Sequence, residues 1–269
     1  MDKIFGLINN GNTCYQNAAI QSIFCIDELI NFLINKKKVV INILKKNNND
    51  INNKVIEYNK ENILKYSLLT IENNINNGYS IINKIFSGLY INISECENCG
   101  YKNFSFTYSD TLDLDLFCSE KHIIFSNLYE CLDNQMNINL YSNENIHKKN
   151  TGHLRCYNYY KFFYPPDCLI IRLKRFTDKG KINNNIDIPI NLNIDKYIHM
   201  FSDKNNNYNY RLCSAIIHLG GGLGGGHYIS IGYKNNMWLE FNDSNVSRIN
   251  EYHIDKYLSR AYILFYQKI

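Results

Sequence analysis

The sequence lacks any apolar run long enough to cross a membrane. No stretch of about 18 consecutive apolar residues occurs. The opening MDKIFGLINNGNTC also lacks the basic segment and long apolar stretch of a secretory signal. We therefore expect an intracellular protein, cytoplasmic or nuclear, with no membrane partner.

An excess of charge of one sign is lacking as well. The 29 Lys and Arg residues nearly balance the 25 Asp and Glu residues, for a formal net charge of +4, which does not indicate a nucleic-acid partner. No fixed-period repeat occurs along the 269 residues, which excludes solenoids and propellers. The length fits one large domain or two small ones, and the 45% hydrophobic content is typical of a folded protein.

A disulfide framework is a third feature that the sequence does not support. The chain has 9 cysteines, an odd number scattered through a long sequence. This pattern is typical of reduced thiols. At least one thiol is therefore expected to be available for chemistry.

What the sequence does contain is a change of hydrophobic period along the chain. Apolar residues recur at helical spacing over residues 14–34 and more weakly over 63–86. Short alternating strands follow, and those predicted are 104–108, 112–116, 169–173, 212–219, 227–233 and 261–266. The pattern predicts helices first and a largely β C-terminal half.

Cys14 is the first residue that suggests chemistry. It follows a Gly-Asn-Thr turn at the predicted start of a helix. Helix N-terminal N–H groups and the helix macrodipole stabilise a thiolate in that place, which makes Cys14 a candidate nucleophile. From this segment alone, a buried and inert thiol is an equally good interpretation.

A glycine-rich segment leads into the second candidate, His227, at the start of a predicted strand. Gly220, Gly222 and Gly225 fit the GxGxxG spacing, but that phosphate-binding fingerprint must open a helix, whereas a strand follows here. Asn242 lies 15 residues after His227, which allows a hairpin to return beside the same strand and orient the imidazole. Cys, then His, then Asn is the chain order of papain-like thiol hydrolases.

Together these motifs resemble the ubiquitin-specific proteases, a family of cysteine deubiquitinases. The matching segments are residues 6–21, 86–88, 96–99, 166, 173–176, 218–220, 226–228, 238–243 and 261–266. The resemblance implies an α+β, papain-like cysteine protease fold with a helical thumb, a β-rich palm and β fingers. It also implies a single catalytic domain over residues 1–269, with the thumb at about 1–85, mostly fingers at about 86–165 and mostly palm at about 166–269.

The resemblance implies a role for each candidate residue. Cys14 would be the nucleophile, His227 the general base and then the general acid, and Asn242 the group that orients His227. Asp243 is the second candidate for that orienting role. Asn9, five residues before the nucleophile, would donate a hydrogen bond to the oxyanion.

The resemblance also implies a substrate and a reaction. His218 would pack or contact substrate without being the base, while Gly226 and Tyr228 would line a channel that passes only the terminal Gly-Gly of ubiquitin. A monomer needing no cofactor for catalysis would hydrolyse the isopeptide bond after the ubiquitin C-terminal glycine through a Cys14 thioester. The alternatives are a catalytically idle ubiquitin-binding module, a protease for unmodified peptides, and a protease for another ubiquitin-like modifier. The last is open because residues 55–75 lack the family's acidic box in a matching frame.

Cys96 and Cys99 form a CxxC pair, and the resemblance implies that a second such pair would complete a structural zinc site. That second pair is missing. The four ligands of tetrahedral zinc would then have to come from Cys96, Cys99 and His147 with His153 or Cys156. The favoured interpretation is a fingertip that keeps its thiols without a metal.

Overall fold

The computed structural model describes residues 5–9, 11, 13–35, 60–76, 80–118, 122–136, 139–142, 155–202, 207–222 and 225–269. The helices in these ranges are α1 (Cys14–Ile23), α2 (Asp27–Asn35), α3 (Lys60–Asn76), α4 (Ile81–Phe86), α5 (Leu128–Met136) and α6 (Ile254–Leu258). Short 3₁₀ turns cover Asp195–Tyr197 and Glu251–His253. Among the helices of these ranges, none is long and apolar enough to cross a membrane.

The strands of the described ranges follow the first helices in chain order. They are β1 (Gly88–Cys96), β2 (Lys102–Ser109), β3 (Leu112–Leu114), β4 (Phe117–Cys118), β5 (Ile123–Ile124), β6 (Asn139–Ser142), β7 (Arg155–Tyr164), β8 (Cys168–Leu173), β9 (Phe176–Thr177), β10 (Gly180–Lys181), β11 (Asn191–Asn193), β12 (Asn209–Leu219), β13 (His227–Lys234), β14 (Met237–Asn242), β15 (Asn245–Arg248) and β16 (Ala261–Lys268). Every strand predicted from the sequence overlaps one of these, which confirms the largely β C-terminal half.

Most of the described strands lie in two sheets, while β4 with β5 and β9 with β10 form separate two-stranded sheets. The larger runs β15-β14-β13-β12-β16-β8-β3, with β11 also pairing with β12, and all of its pairs are antiparallel except β3 with β8. The smaller is antiparallel in the order β2-β1-β7-β6. The main hydrophobic core lies against the larger sheet and includes buried residues of α5 and α6.

The helical run predicted over residues 14–34 forms two helices, α1 and α2, with a tight turn between them. Cys25 N donates to Ser22 O and Ile26 N donates to Ile23 O, both at 3.1 Å, so the turn closes with bonds three residues long. The Cys25 thiol packs against β13, where a Cβ added at Gly232 would lie 2.2 Å from Cys25 Sγ. This long-range contact fixes where α1 ends.

Helix α1 packs on β12, β13 and β14 of the larger sheet. Small buried residues, Ala18 and Ser22, face the sheet, and Ser214 Oγ donates to Ser22 O at 3.0 Å. Ile26 and Leu29 of the following turn and helix are also buried in this layer, and each such side chain stabilises the fold by about 1.5–3 kcal/mol relative to exposure. The N-terminus of α1 is therefore held against the sheet at the end where β13 begins.

Candidate active site

Cys14 is the first residue of α1, so its side chain starts where the helix N–H groups lack partners within the helix. The residue is only 9% exposed. The helix that it begins lies against β13, whose first residue is His227, and the segment before it bonds to the backbone of Asp243 through Leu7 N. The structure thus brings together the two ends of the chain that carry the candidate nucleophile and the candidate base.

His227 and Asn242 are joined by a hydrogen bond. The hairpin of β13 and β14 is antiparallel with Ser230 paired to Phe241, and it returns Asn242 beside the start of β13. His227 Nε2 lies 2.8 Å from Asn242 Oδ1. An amide oxygen only accepts, so Nε2 carries the hydrogen of this bond, and Nδ1 is the ring nitrogen left to exchange a proton with another group.

Asp243 forms hydrogen bonds with Asn9 and Asn17 and not with His227. Its Oδ2 lies 3.9 Å from His227 Nε2, beyond the range of a hydrogen bond. The same carboxylate accepts from Asn9 Nδ2 at 3.0 Å and from Asn17 Nδ2 at 2.8 Å. The backbone of Asp243 has a φ of 50°, and its carbonyl accepts from Leu7 N at 2.8 Å. Asp243 therefore joins the segment before Cys14 to the segment after Asn242.

Asn17 is a site residue that the sequence reasoning missed. It is 8% exposed, and besides the Asp243 bond its Nδ2 lies 3.3 Å from both Leu7 O and Ile8 O. It sits one helical turn after Cys14, so both residues project from the same face of α1. A polar amide on the buried face of a helix was the available signal.

The oxygen and the nitrogen of the Asn9 side-chain amide both form hydrogen bonds. Its Oδ1 accepts from Gly11 N at 3.1 Å, Thr13 N at 3.2 Å and Thr13 Oγ1 at 3.1 Å. Its Nδ2 donates one hydrogen to Asp243. An amide nitrogen carries two hydrogens, and the bonds on Oδ1 fix the plane in which both of them point. The loop that leads into Cys14 is thereby fastened to the side chain of one of its own residues.

His218 is a second histidine buried near His227, and it is not the candidate base. It lies on β12 opposite Tyr228 on β13, with ring centroids 4.7 Å apart, and the Phe176 ring lies 5.2 Å from it. Burial, and then the positive charge of Lys181, hold the pKa of His218 below its ordinary value. A neutral, tightly packed imidazole fits the packing or contact role that the resemblance implied.

Gly226 and Tyr228 flank His227 on either side. A Cβ added at Gly226 would lie 2.2 Å from His218 Nε2, and the φ of 156° there suits glycine. Burial raises the pKa of Tyr228, with smaller contributions from Tyr262 and then from Cys14. The Cys14 contribution means that the tyrosine lies near the candidate nucleophile.

The candidate metal ligands are only partly brought together. Cys96 on β1 and Cys156 on β7 are cross-strand partners, and both are buried, whereas Cys99 is exposed. Burial raises the pKa of the Cys156 thiol, and Cys96 adds to the effect. His147 and His153 lie outside the described residues. Within the described ranges, no group of three or more His, Cys, Asp or Glu side chains could hold a metal ion, so these thiols alone do not make a tetrahedral zinc site.

Comparison with protein families decides what kind of protein has this site. Residues 37–266 match the family described as ubiquitin carboxyl-terminal hydrolase. The chain belongs to this family. Cys14 and Asn9 precede the matched range, so the match does not depend on the motif around the candidate nucleophile.

Several curated ubiquitin carboxyl-terminal hydrolases are similar to this chain. Ubiquitin carboxyl-terminal hydrolase 9 of Arabidopsis thaliana is 40% identical over 111 residues, which cover 39% of this chain and 12% of that protein. A probable ubiquitin carboxyl-terminal hydrolase of Acanthamoeba polyphaga mimivirus is 32% identical over 205 residues, covering 70% of this chain and 42% of that protein. The chain spans less than half the length of these relatives.

Solved structures share the architecture. A chain of the SAGA DUB module Ubp8/Sgf11/Sus1/Sgf73 bound to monoubiquitin matches with a TM-score of 0.71 at 20% identity, over 99% of this chain and 69% of that chain. The same module bound to ubiquitin aldehyde gives a TM-score of 0.71 at 17% identity, over 99% and 70%. This likeness confirms the predicted fold class, an α+β papain-like cysteine protease fold of the ubiquitin-specific protease type.

Proposed function

We propose that the chain is a thiol-dependent deubiquitinase that hydrolyses the isopeptide bond after the C-terminal glycine of ubiquitin. The observation that carries the proposal is the 2.8 Å bond from His227 Nε2 to Asn242 Oδ1, at the sheet end against which Cys14 is packed. Membership of the ubiquitin carboxyl-terminal hydrolase family supports it. We treat residues 1–269 as one catalytic domain, with thumb, fingers and palm divided as the sequence predicts.

In the proposed mechanism Cys14 is the nucleophile and His227 is the base. Because Nε2 is engaged with Asn242, the free lone pair of His227 Nδ1 takes the thiol proton. Cys14 Sγ then attacks the carbonyl carbon of the ubiquitin C-terminal glycine, and the carbonyl π electrons move onto oxygen. Asn242 keeps the imidazole in the correct tautomer and stabilises the imidazolium that forms.

The negative oxygen is met by two donors. One is the Cys14 backbone N–H at the start of α1, and the other is the Asn9 N–H that is not donated to Asp243. Preorganised donors of this kind each contribute about 10²- to 10³-fold in rate. Asp243 and Asn17 serve this step by holding Asn9 and the loop around it.

The intermediate then collapses to a thioester. His227 Nδ1–H gives its proton to the departing lysine amine as the C–N bond breaks. A water molecule next attacks the thioester, with Nδ1 again the base, and the cleavage of the C–S bond returns Cys14 and releases the ubiquitin carboxylate. These residues handle every proton and electron pair of the reaction, so we propose that catalysis needs no cofactor.

The proposed substrate channel runs past Gly226 and Tyr228. His218 presses directly against Gly226, so a side chain at that position would meet the ring. We propose that these residues line the path of the terminal Gly-Gly and that His218 supports one wall. The solved structures of similar fold bound to monoubiquitin and to ubiquitin aldehyde support ubiquitin as the ligand.

We further propose a monomer that acts on ubiquitin or ubiquitinated proteins inside the cell, in the cytoplasm or the nucleus. The odd number of cysteines, scattered through the sequence, supports a reducing compartment. No nucleic acid or membrane takes part in the proposed reaction.

The test is turnover of a fluorogenic substrate made of ubiquitin with a C-terminal reporter amide. The wild-type chain should release the reporter, and Cys14→Ser should not, because a serine hydroxyl is a far weaker acid and nucleophile than a thiol. Cys118→Ser, at a partly buried thiol of β4, is the matched control and should turn over normally. Equal turnover by wild type and Cys14→Ser would refute the assignment. Binding without turnover would favour the idle module, and cleavage of short unmodified peptides would favour the general protease.

A further inference from the structure

Lys181 joins two segments that meet beside the candidate active site. It ends the short hairpin of β9 and β10, and its ammonium donates to His218 O and to Gly220 O, each at 2.7 Å. The His218 carbonyl belongs to the second-last residue of β12, and the Gly220 carbonyl belongs to the first residue after the strand. One side chain therefore fastens the hairpin to the start of the glycine-rich segment.

The end of β12 needs such a partner. Its neighbour β16 begins at Ala261, which pairs with Ile217, so β12 continues beyond the point where β16 begins. Peptide carbonyls that lose a strand partner in a partly buried place must be satisfied in another way. A charged donor forms stronger hydrogen bonds than a neutral one, and Lys181 supplies two of them.

The same strand end carries His227. Leu219, the residue between the two bonded carbonyls, is the ladder partner of His227. The two ends of the glycine-rich segment also touch, because a Cβ added at Gly220 would lie 3.2 Å from Gly226 Cα. Movement of the β12 end is therefore transmitted to the backbone of His227 through the terminal pair of the ladder.

We propose that Lys181 is a positioning residue for the hydrolysis, acting on His227 by clamping the carbonyls of His218 and Gly220. The expected effect on the rate of hydrolysis rests on the proposed function. The expected effect of Lys181 on the order of the two strand ends does not depend on that function. Because the clamp holds the strand end that pairs with the base, we expect its loss to lower kcat by a larger factor than it raises KM.

The test compares three variants of the full chain. Lys181→Met keeps the length and apolar stem of the side chain but removes its donors, and Lys181→Arg keeps donors. Lys179→Met is the matched control, because Lys179 is an exposed lysine of the same hairpin. Each variant is first titrated with a ubiquitin C-terminal electrophile, so that kcat is expressed per competent site and misfolded protein does not count.

We expect Lys181→Met to lower kcat about tenfold, since small misplacements of a reacting group are costly, with KM within about twofold of wild type. Lys181→Arg should recover most of the loss, and Lys179→Met should match wild type. Amide exchange at Leu219 and His227 should be faster in Lys181→Met alone.

Equal kcat for Lys181→Met and Lys179→Met in an active background would overturn the inference, as would unchanged amide exchange at the strand ends. A fall only in the titrated fraction of sites would also overturn it, because that result describes a folding role. Absence of turnover by the wild-type chain would instead count against the proposed function. The exchange comparison would still report on the clamp.

Discussion

At the scale of single residues, the site is organised by side-chain amides. The side-chain oxygen of Asn242 accepts a hydrogen bond from His227, while the side-chain N–H groups of Asn9 and Asn17 donate to Asp243. Adjacent residues 242 and 243 thus serve different partners, one the imidazole and the other the loop before Cys14. From the sequence, both residues were candidates to orient His227. Their different roles could not be predicted, because these depend on the backbone turn at Asp243.

Because Asn242 and Asp243 bind different partners, we expect their alanine variants to lose different amounts of activity. Asn242→Ala should lower kcat/KM roughly 100-fold, because the imidazole loses the partner that fixes its tautomer. Asp243→Ala should cost about tenfold, through looser positioning of Asn9. Steady-state rates with a fluorogenic ubiquitin substrate give the ranking. The reverse order would transfer the orienting role to Asp243.

Asn17 offers a test of the network through stability. Asn17→Asp replaces a buried donor by a carboxylate beside Asp243, whose Oδ1 lies 2.8 Å from the Asn17 amide. Repulsion and burial raise the pKa of the introduced group above its unfolded value of about 3.9. At pH 7, above that unfolded value, we expect the free energy of unfolding to fall by about 1–3 kcal/mol. The deficit should shrink as the pH falls from the raised folded pKa towards about 3.9, because only below that value is the group protonated in both states.

Urea unfolding at several pH values measures this deficit. Asn17→Ala is the control, since it removes the same amide without adding a titrating group, and its deficit should vary much less with pH. A deficit for Asn17→Asp that stays constant between neutral and acid pH would contradict the proposed contact with Asp243.

At the scale of elements, the hairpin of β13 and β14 was predictable and the break after α1 was not. The hairpin follows from local alternation and from the 15-residue separation of His227 and Asn242. The break depends on the packing of Cys25 against Gly232, two residues far apart in the chain. Local periodicity contains no information on such a contact. For the same reason Lys181 carries no signal in the sequence, because its partners are backbone carbonyls of a distant strand.

The glycine-rich segment gives a prediction at this scale. Gly226→Ala should lower kcat/KM about 100-fold, because the added methyl meets the His218 ring and displaces the start of β13. Gly221→Ala is the control in the same segment, since a Cβ there has no atom within 4 Å. Its activity should stay within about twofold of wild type. Equal activities for the two variants, measured with the fluorogenic substrate, would argue against tight packing around Gly226.

The tip of the smaller sheet gives a second prediction. Cys96 N donates to Tyr101 O at 2.8 Å, and Gly100 N donates to Cys96 O at 2.9 Å, so strand pairing holds the turn. We expect metal analysis of the purified chain to find clearly less than one zinc per molecule, and Cys96→Ser to leave that content unchanged. Stoichiometric zinc that survives dialysis against a mild chelator would show that His147 together with His153 or Cys156 completes a site.

At the scale of the whole molecule, the site is assembled from both ends of the chain. Asn9, Cys14 and Asn17 come from the first helix and the loop before it. His227, Asn242 and Asp243 come from the start of β13, the end of β14 and the turn after β14. Ordered motifs made the family predictable and named Cys14, His227 and Asn242 as candidate site residues. The bonds from Asp243 to Asn9 and Asn17 were not predictable, because they join residues 234 and 226 positions apart.

The central claim is that Cys14 forms a covalent bond to the C-terminus of ubiquitin. The most direct measurement is incubation of the wild-type chain with ubiquitin carrying a C-terminal electrophile, followed by mass spectrometry of the intact product and of its peptides. We expect one ubiquitin per chain, attached at Cys14, and no adduct on Cys14→Ala. Reversible binding with no adduct, or attachment of the probe to another cysteine of the wild-type chain, would contradict it.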